Sequence, residues 1–176
     1  MEALLVIDMQ QGMFSIPGFV PHDGAATIGR IRSLIDQARR RGAPVFFVQH
    51  DGGSGHPLAA GAPGFAFHPD LAPLGSESVT VKRRCSAFHE TSLDAALRTA
   101  GVTHLVVCGM QTETCVDSAV RAAVERGYRV TLVADGHTTG DSAVLDARHI
   151  IEHHNRTLAG LFAAVEPAAS IRFGEE

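Results

Sequence analysis

A thiol, a carboxylate and an amine, which together can carry out acyl transfer, stand at comparable places along this sequence. Cys115 follows Cys108-Gly109-Met110-Gln111-Thr112-Glu113-Thr114. The hydrophobic run 104–108 feeds a glycine-started turn, and then Val116, Ala119, Val120, Ala123 and Val124 recur at helical offsets. This pattern reads as strand, elbow and helix. It puts Cys115 in the first helical turn, where unpaired backbone N–H groups and the positive end of the macrodipole favour a thiolate. Asp8 ends the apolar run 3–7, and Lys82 directly follows the β-branched run 78–81. Taken singly, such an aspartate is usually a cap or loop carboxylate and such a lysine a snorkelling surface cation. In a parallel α/β sheet, however, sites gather at the carboxyl ends of the strands, and all three residues fall on that edge. The thiolate would attack an acyl carbon, Asp8 would accept the thiol proton and relay it to the leaving amine, and the Lys82 ammonium would hold both anions and lower their pKa values.

The elements that must position them alternate between strand and helix. The continuous apolar run 3–7 is that of a strand buried on both faces. Ile28, Ile31, Ile35 and Ala38 share a helical face that stops at Gly42, with Pro44 beyond, and 45–48 is the second strand. This βαβ unit implies a parallel sheet with a right-handed crossover. Thr91 or Ser92 caps a helix running through Ala100, and Gly101 stops it. After the Cys115 helix, 129–134 forms a fifth strand ending at Asp135-Gly136-His137. A last helix starts at Asp141 or Ser142 and carries Val144, Ala147, Ile151, Leu158 and Phe162, and 170–173 reads as a final edge strand. The expected fold is a three-layer α/β/α domain spanning 1–176, with a central parallel sheet of about six strands, Rossmann-like in architecture.

With 176 residues, 45% hydrophobic and 19% charged, the chain has the composition of one globular domain. No apolar run reaches membrane-spanning length. A net charge of -4 with no long basic block argues against nucleic acid as a partner. The start, Met1-Glu2-Ala3-Leu4, carries an acid where a secretion signal carries bases. The odd set Cys85, Cys108 and Cys115 lacks zinc-type spacing and suits reduced thiols, so a cytoplasmic location without disulfides is expected. No Gly-x-Gly-x-x-Gly pattern follows Ile7, which argues against a nucleotide-binding oxidoreductase.

Periodicity disappears over 49–77, a glycine- and proline-punctuated stretch that reads as a pocket wall, a lid or a flexible loop. His50, Asp51, His56 and His68 fall there without a paired ligand motif. On the last predicted helix, His149 and His153 are four apart, yet no Glu stands beside the first of them. His149, Glu152, His153 and His154 therefore read as a polar face or subunit contact, and no metal is expected. Gln10, Phe14, Phe88 and Gln111 follow the chemical positions closely enough to line a small cavity, with His137 as a further wall. Met13 and Phe14 read as core or pocket wall.

Three segments, LLVIDMQ at 4–10, VTVKRRCSAF at 79–88 and THLVVCGMQTETCVDSAVRAAVERGYRVTLVADG at 103–136, resemble the isochorismatase-like cysteine hydrolases, which include nicotinamidases and N-carbamoylsarcosine amidases. The resemblance extends to element order over nearly the whole chain. It implies a triad with Asp8 as general base and acid, Lys82 as its cationic partner and Cys115 as nucleophile. It also implies a non-proline cis peptide at Met110-Gln111, and an oxyanion hole made by the Gln111 and Cys115 N–H groups. The nicotinamidase branch carries a metal-binding Asp-x-His pair and a further His after the second strand. Here that stretch reads Gln49-His50-Asp51-Gly52-Gly53-Ser54-Gly55-His56, so the expectation is no cofactor and a substrate other than nicotinamide. A cysteine at 115 favours amide hydrolysis over vinyl-ether cleavage. The implied activity is hydrolysis of an amide, carbamoyl or lactam-type bond in a small molecule through a thioester, by a homodimer or larger homo-oligomer. The alternative is an idle domain that binds a small molecule or a partner.

Overall fold

The computed structural model describes residues 1–174. Its centre is β1 (Glu2–Ile7), in which residues 3–7 are fully buried because both faces of the strand are covered. Leu4 and Val6 enter the apolar layer under α1 (Gly24–Arg41), whereas Ala3, Leu5 and Ile7 enter the opposite layer. The alternation is that of a pleated strand serving two cores at once.

Around β1 lie β2 (Val45–His50), β3 (Ser78–Lys82), β4 (His104–Met110), β5 (Arg129–Thr138) and β6 (Ala164–Glu166). The sheet order is β3-β2-β1-β4-β5-β6, and every pairing is parallel. Chain order reverses at β1, with β2 and β3 on one side and β4 on the other. A crevice opens at the carboxyl end of such a switch point. The second core holds Leu93 and Leu97 of α2 (Leu93–Thr99) and Ala119, Val120 and Ala123 of α3 (Asp117–Glu125). Leu158 of α4 (Ala147–Leu158) joins the same core. No described helix is long and apolar enough to cross a membrane.

The periodic segments fold where their patterns place them. In α1, Ile31, Ile35 and Ala38 are buried with Thr27 and Leu34, and the helix ends at Gly42 with φ 72°. A left-handed residue there closes the last turn at no Cβ cost. The departures lie near the carboxyl terminus. β5 runs through Thr138 rather than stopping at 134, because a bulge opposite Val107 and Gly109 lets it pair again at His137 and Thr138. The last helix begins at Ala147, not at 141 or 142, since Asp146 supplies the N-cap by accepting from His149 N–H. Val144 consequently lies outside it and is 87% exposed. The edge strand is β6 at 164–166, and the run 170–173 instead buries Ile171 and Phe173 against the α1 layer.

The stretch 51–77 is ordered by its own hydrogen bonds. Asp51 accepts from the Gly53 and Ala60 N–H groups and from Arg83. The Gln10 and Gln49 side chains both donate to the Phe65 carbonyl. Leu58 and Leu71 anchor the stretch in the α1 layer.

Candidate active site

Asp8, Lys82 and Cys115 meet in the crevice. Lys82 Nζ lies 2.7 Å from Asp8 Oδ2 and donates to Cys115 Sγ at 3.1 Å and to the Arg84 carbonyl at 3.1 Å. Its side chain is 0% exposed, so the ammonium survives only by these contacts. Strand register brings it there: His50 pairs with Lys82 on β3, and Ile7 pairs with both Val48 and Gly109. Gly109 is required at this crossing, because a Cβ on it would overlap the Ile7 carbonyl, and its φ is 126°. The Met110-Gln111 peptide that follows is cis. Cys115 stands in a single π-helical turn, Thr112–Val116, that leads into α3; it precedes the α-helix rather than belonging to its first turn.

Burial dominates the electrostatics. It raises the Asp8 carboxyl above the ordinary range even though Lys82 opposes it. For Lys82, burial acts downward but is outweighed by Asp8 and the cysteine sulfur, so the group is held above its usual value. Burial first and the Asp8 charge second push the Cys115 thiol up to about 12, against the pull of Lys82. The Cys115 thiol is thus held above its usual range, and these surroundings do not favour the thiolate expected at a helix start. Cys115 is partly buried, and the desolvation cost of the anion outweighs the stabilisation from one ammonium. Beside it is a carboxylate of increased basicity, and Asp8 Oδ1 is buried without a hydrogen-bond partner.

A cavity of about 290 Å³ opens onto these groups, lined by Asp8, Met13, Ile16, His50, His56, Leu58, Cys85, Gln111, Thr114 and Cys115. Of the wall residues expected from sequence, Met13 and Gln111 are among them. Gln10 is fully buried, and its amide is consumed in bonds to His50 N–H, His50 O and Phe65 O, so it fastens the long loop instead. Phe14 turns away to meet the His68 ring edge-on at 5.3 Å. Phe88 is core, packed 6.2 Å from Tyr128. His137 lies behind the turn, its Nδ1 2.9 Å from Thr112 Oγ1 and its Nε2 2.9 Å from Asn155 Oδ1. It borders a separate hollow of about 160 Å³ with His22, Arg30, Asp135 and Arg148.

Ile16, Leu58, Cys85 and Thr114 were missed as cavity lining. Among the histidines of α4, His149 contacts the Asp146 cap, His153 stacks on His154 and His154 contacts Asp117. The described residues contain no cluster of three or more His, Cys, Asp or Glu side chains placed to hold a metal ion.

The comparisons with known proteins agree with this fold. Over 140 residues, 80% of this chain, the sequence is 41% identical to streptothricin hydrolase of Streptomyces noursei, of which the match spans only 50%. The chain thus corresponds to about half the length of that relative. Ureidoacrylate amidohydrolase RutB of Variovorax paradoxus is 30% identical over 182 residues, covering 83% of this chain and 72% of that protein. The crystal structure of an isochorismatase from Pseudomonas putida KT2440 superposes with a TM-score of 0.92 at 34% identity, covering 97% of this chain and 89% of that one. With the isochorismatase domain model matching residues 2–165, the six-stranded parallel sheet and its crevice place this chain in the isochorismatase family.

Proposed function

We propose that the protein is a cysteine-dependent hydrolase that cleaves a carbon–nitrogen bond in a small amide, carbamoyl or lactam-type molecule. The observation that carries this reading is the contact of Lys82 with both Asp8 and Cys115 at the floor of an open cavity. One relative named a hydrolase and one named an amidohydrolase support it from outside the geometry.

Asp8 takes the thiol proton as Cys115 Sγ bonds to the acyl carbon. The raised basicity of a buried carboxylate and the high pKa of the thiol make this transfer concerted with attack rather than preceding it. The Gln111 and Cys115 N–H groups receive the developing oxyanion. The carbon–nitrogen bond then breaks, and Asp8 returns its proton to the leaving nitrogen. In the second half, Asp8 deprotonates water, the hydroxide adds to the thioester carbon, and the departing sulfur recovers the proton. Lys82 remains charged throughout and keeps the carboxylate and sulfur in place.

A screen of primary amides and ureido compounds, read as ammonia release, tests the proposal. Turnover should fall by about a thousandfold or more in Cys115→Ala, since the covalent route is removed. Full turnover by that variant would sink the reading. The raised Cys115 thiol favours a second reading, an idle domain that binds a small molecule or partner. Under it, iodoacetamide modifies Cys115 no faster than a model thiol, and Lys82→Ala leaves that rate unchanged.

A further inference from the structure

His50 and His56 both line the cavity above Cys115, and the hydrogen-bond surroundings assign each ring a single neutral tautomer. His56 Nδ1 accepts the Leu58 backbone N–H at 3.0 Å, so the ring proton resides on Nε2. The ring is also seated: His56 N–H donates to the Gly53 carbonyl, and the imidazole occupies the space where a Cβ on Gly52 would be. His50 Nδ1 faces the Lys82 ammonium at 3.4 Å. A proton on that nitrogen would point at a cation, so His50 also carries its proton on Nε2. Burial, followed by Lys82 and His56, lowers the His50 pKa and keeps this ring uncharged.

We infer that His50 and His56 form a donor pair that receives a hydrogen-bond acceptor on the substrate outside the bond being cleaved, selecting a compact, uncharged amide with a second acceptor. The inference rests on the reading of Cys115 as nucleophile. The rest of the wall agrees with it. Met13, Ile16 and Leu58 give an apolar enclosure, no arginine or lysine is among the described lining residues, and the Asp8 carboxylate faces the space. The Lys82 ammonium at the floor is already paired with Asp8 and in contact with Cys115, so a substrate carboxylate would meet no uncommitted cation. At about 290 Å³ the space also lies at the lower end of the range for ligand cavities. With Nδ1 engaged on both rings, the two histidines act as donors, and the polar selection is made through their Nε2–H groups.

Opposite substitutions at His56 separate a donor from a merely structural ring. Gln places an amide N–H near the former Nε2 but cannot accept the Leu58 N–H from the Nδ1 position, whereas Asn preserves that acceptor and loses the donor. The probes are matched N-substituted chloroacetamides, one of each pair bearing an ether oxygen where the other has a methylene: methoxyethyl against butyl, and methoxypropyl against pentyl. Alkylation of Cys115 is followed by peptide mapping, which separates it from Cys85. Chloride leaves, carbon bonds to sulfur, and the thiol proton passes to Asp8. For at least one pair, the ether-to-alkyl ratio of second-order rates should fall about three- to tenfold in His56→Asn, the contribution of one hydrogen bond, and be retained in His56→Gln. Equal ratios in all three proteins, or retention in Asn with loss in Gln, would overturn the donor pair while leaving the nucleophile intact. Absence of Cys115 modification by any probe would overturn the nucleophile and this inference with it.

Discussion

Acid should destabilise this protein through His137, and the size of the effect follows from its surroundings. The imidazole is 2% exposed and bridges Thr112, in the turn that carries Cys115, to Asn155 of α4. Asn155 Nδ2 donates to the Ala134 carbonyl, so its Oδ1 accepts from His137 Nε2–H, and His137 Nδ1 accepts the Thr112 hydroxyl. Protonating Nδ1 would force the Thr112 hydroxyl to turn from donor to acceptor and would place a charge in a buried site. Burial accordingly lowers the His137 pKa from 6.5 to about 4. Between these values the unfolded chain holds a proton that the folded chain does not, so stability falls as pH drops and is fully present above about 6.5. The window is about 2.5 pH units wide, which at about 1.4 kcal/mol per unit gives about 3 kcal/mol. His50 and His104, both lowered by burial, act in the same direction, whereas the raised Asp8 carboxyl acts oppositely. The informative quantity is thus the difference between wild type and His137→Gln, in which those other contributions cancel. Urea unfolding at pH 7, 5.5 and 4.5 should show the variant about 1–3 kcal/mol less stable at neutrality. The two proteins should converge as acid removes the wild-type advantage. Parallel stability curves across that range would refute the assignment of a buried neutral imidazole.

Lys82→Met removes the ammonium while retaining most of the side-chain volume and leaves Asp8 buried without its partner. We expect a loss of about 3–5 kcal/mol in chemical unfolding, together with loss of Cys115 alkylation, and wild-type stability would contradict the buried ion pair. Gly109→Ala places a Cβ against the Ile7 carbonyl at the β1–β4 crossing; a drop in melting temperature of several degrees with failure of Cys115 labelling is expected, and an unchanged protein would show that the strands can separate there.

Local pattern made most of the fold legible. The apolar run of β1, the spacing of Ile31, Ile35 and Ala38, and the Gly42 stop each reflect a backbone period that needs no distant partner to be read. Element ends beyond residue 134 were less legible, because a bulge extends β5 and an Asp146 side chain resets the start of α4. The predicted wall was largely misplaced for a similar reason. Gln10 and Phe88 follow chemical residues closely in sequence, but successive residues on a strand or turn point to different sides, and nearness along the chain does not choose the side.

The sequence by itself determined the kind of sheet, the edge at which chemistry gathers and the three residue types that meet there. It did so because period, turn chemistry and strand-end position are local properties. Only the tertiary structure decided that Lys82 is wholly enclosed between Asp8 and Cys115, that burial raises the Cys115 thiol, and that His50 and His56 share its cavity. Those features depend on how much water the assembled layers exclude from each group, and desolvation is a property of the whole packed arrangement.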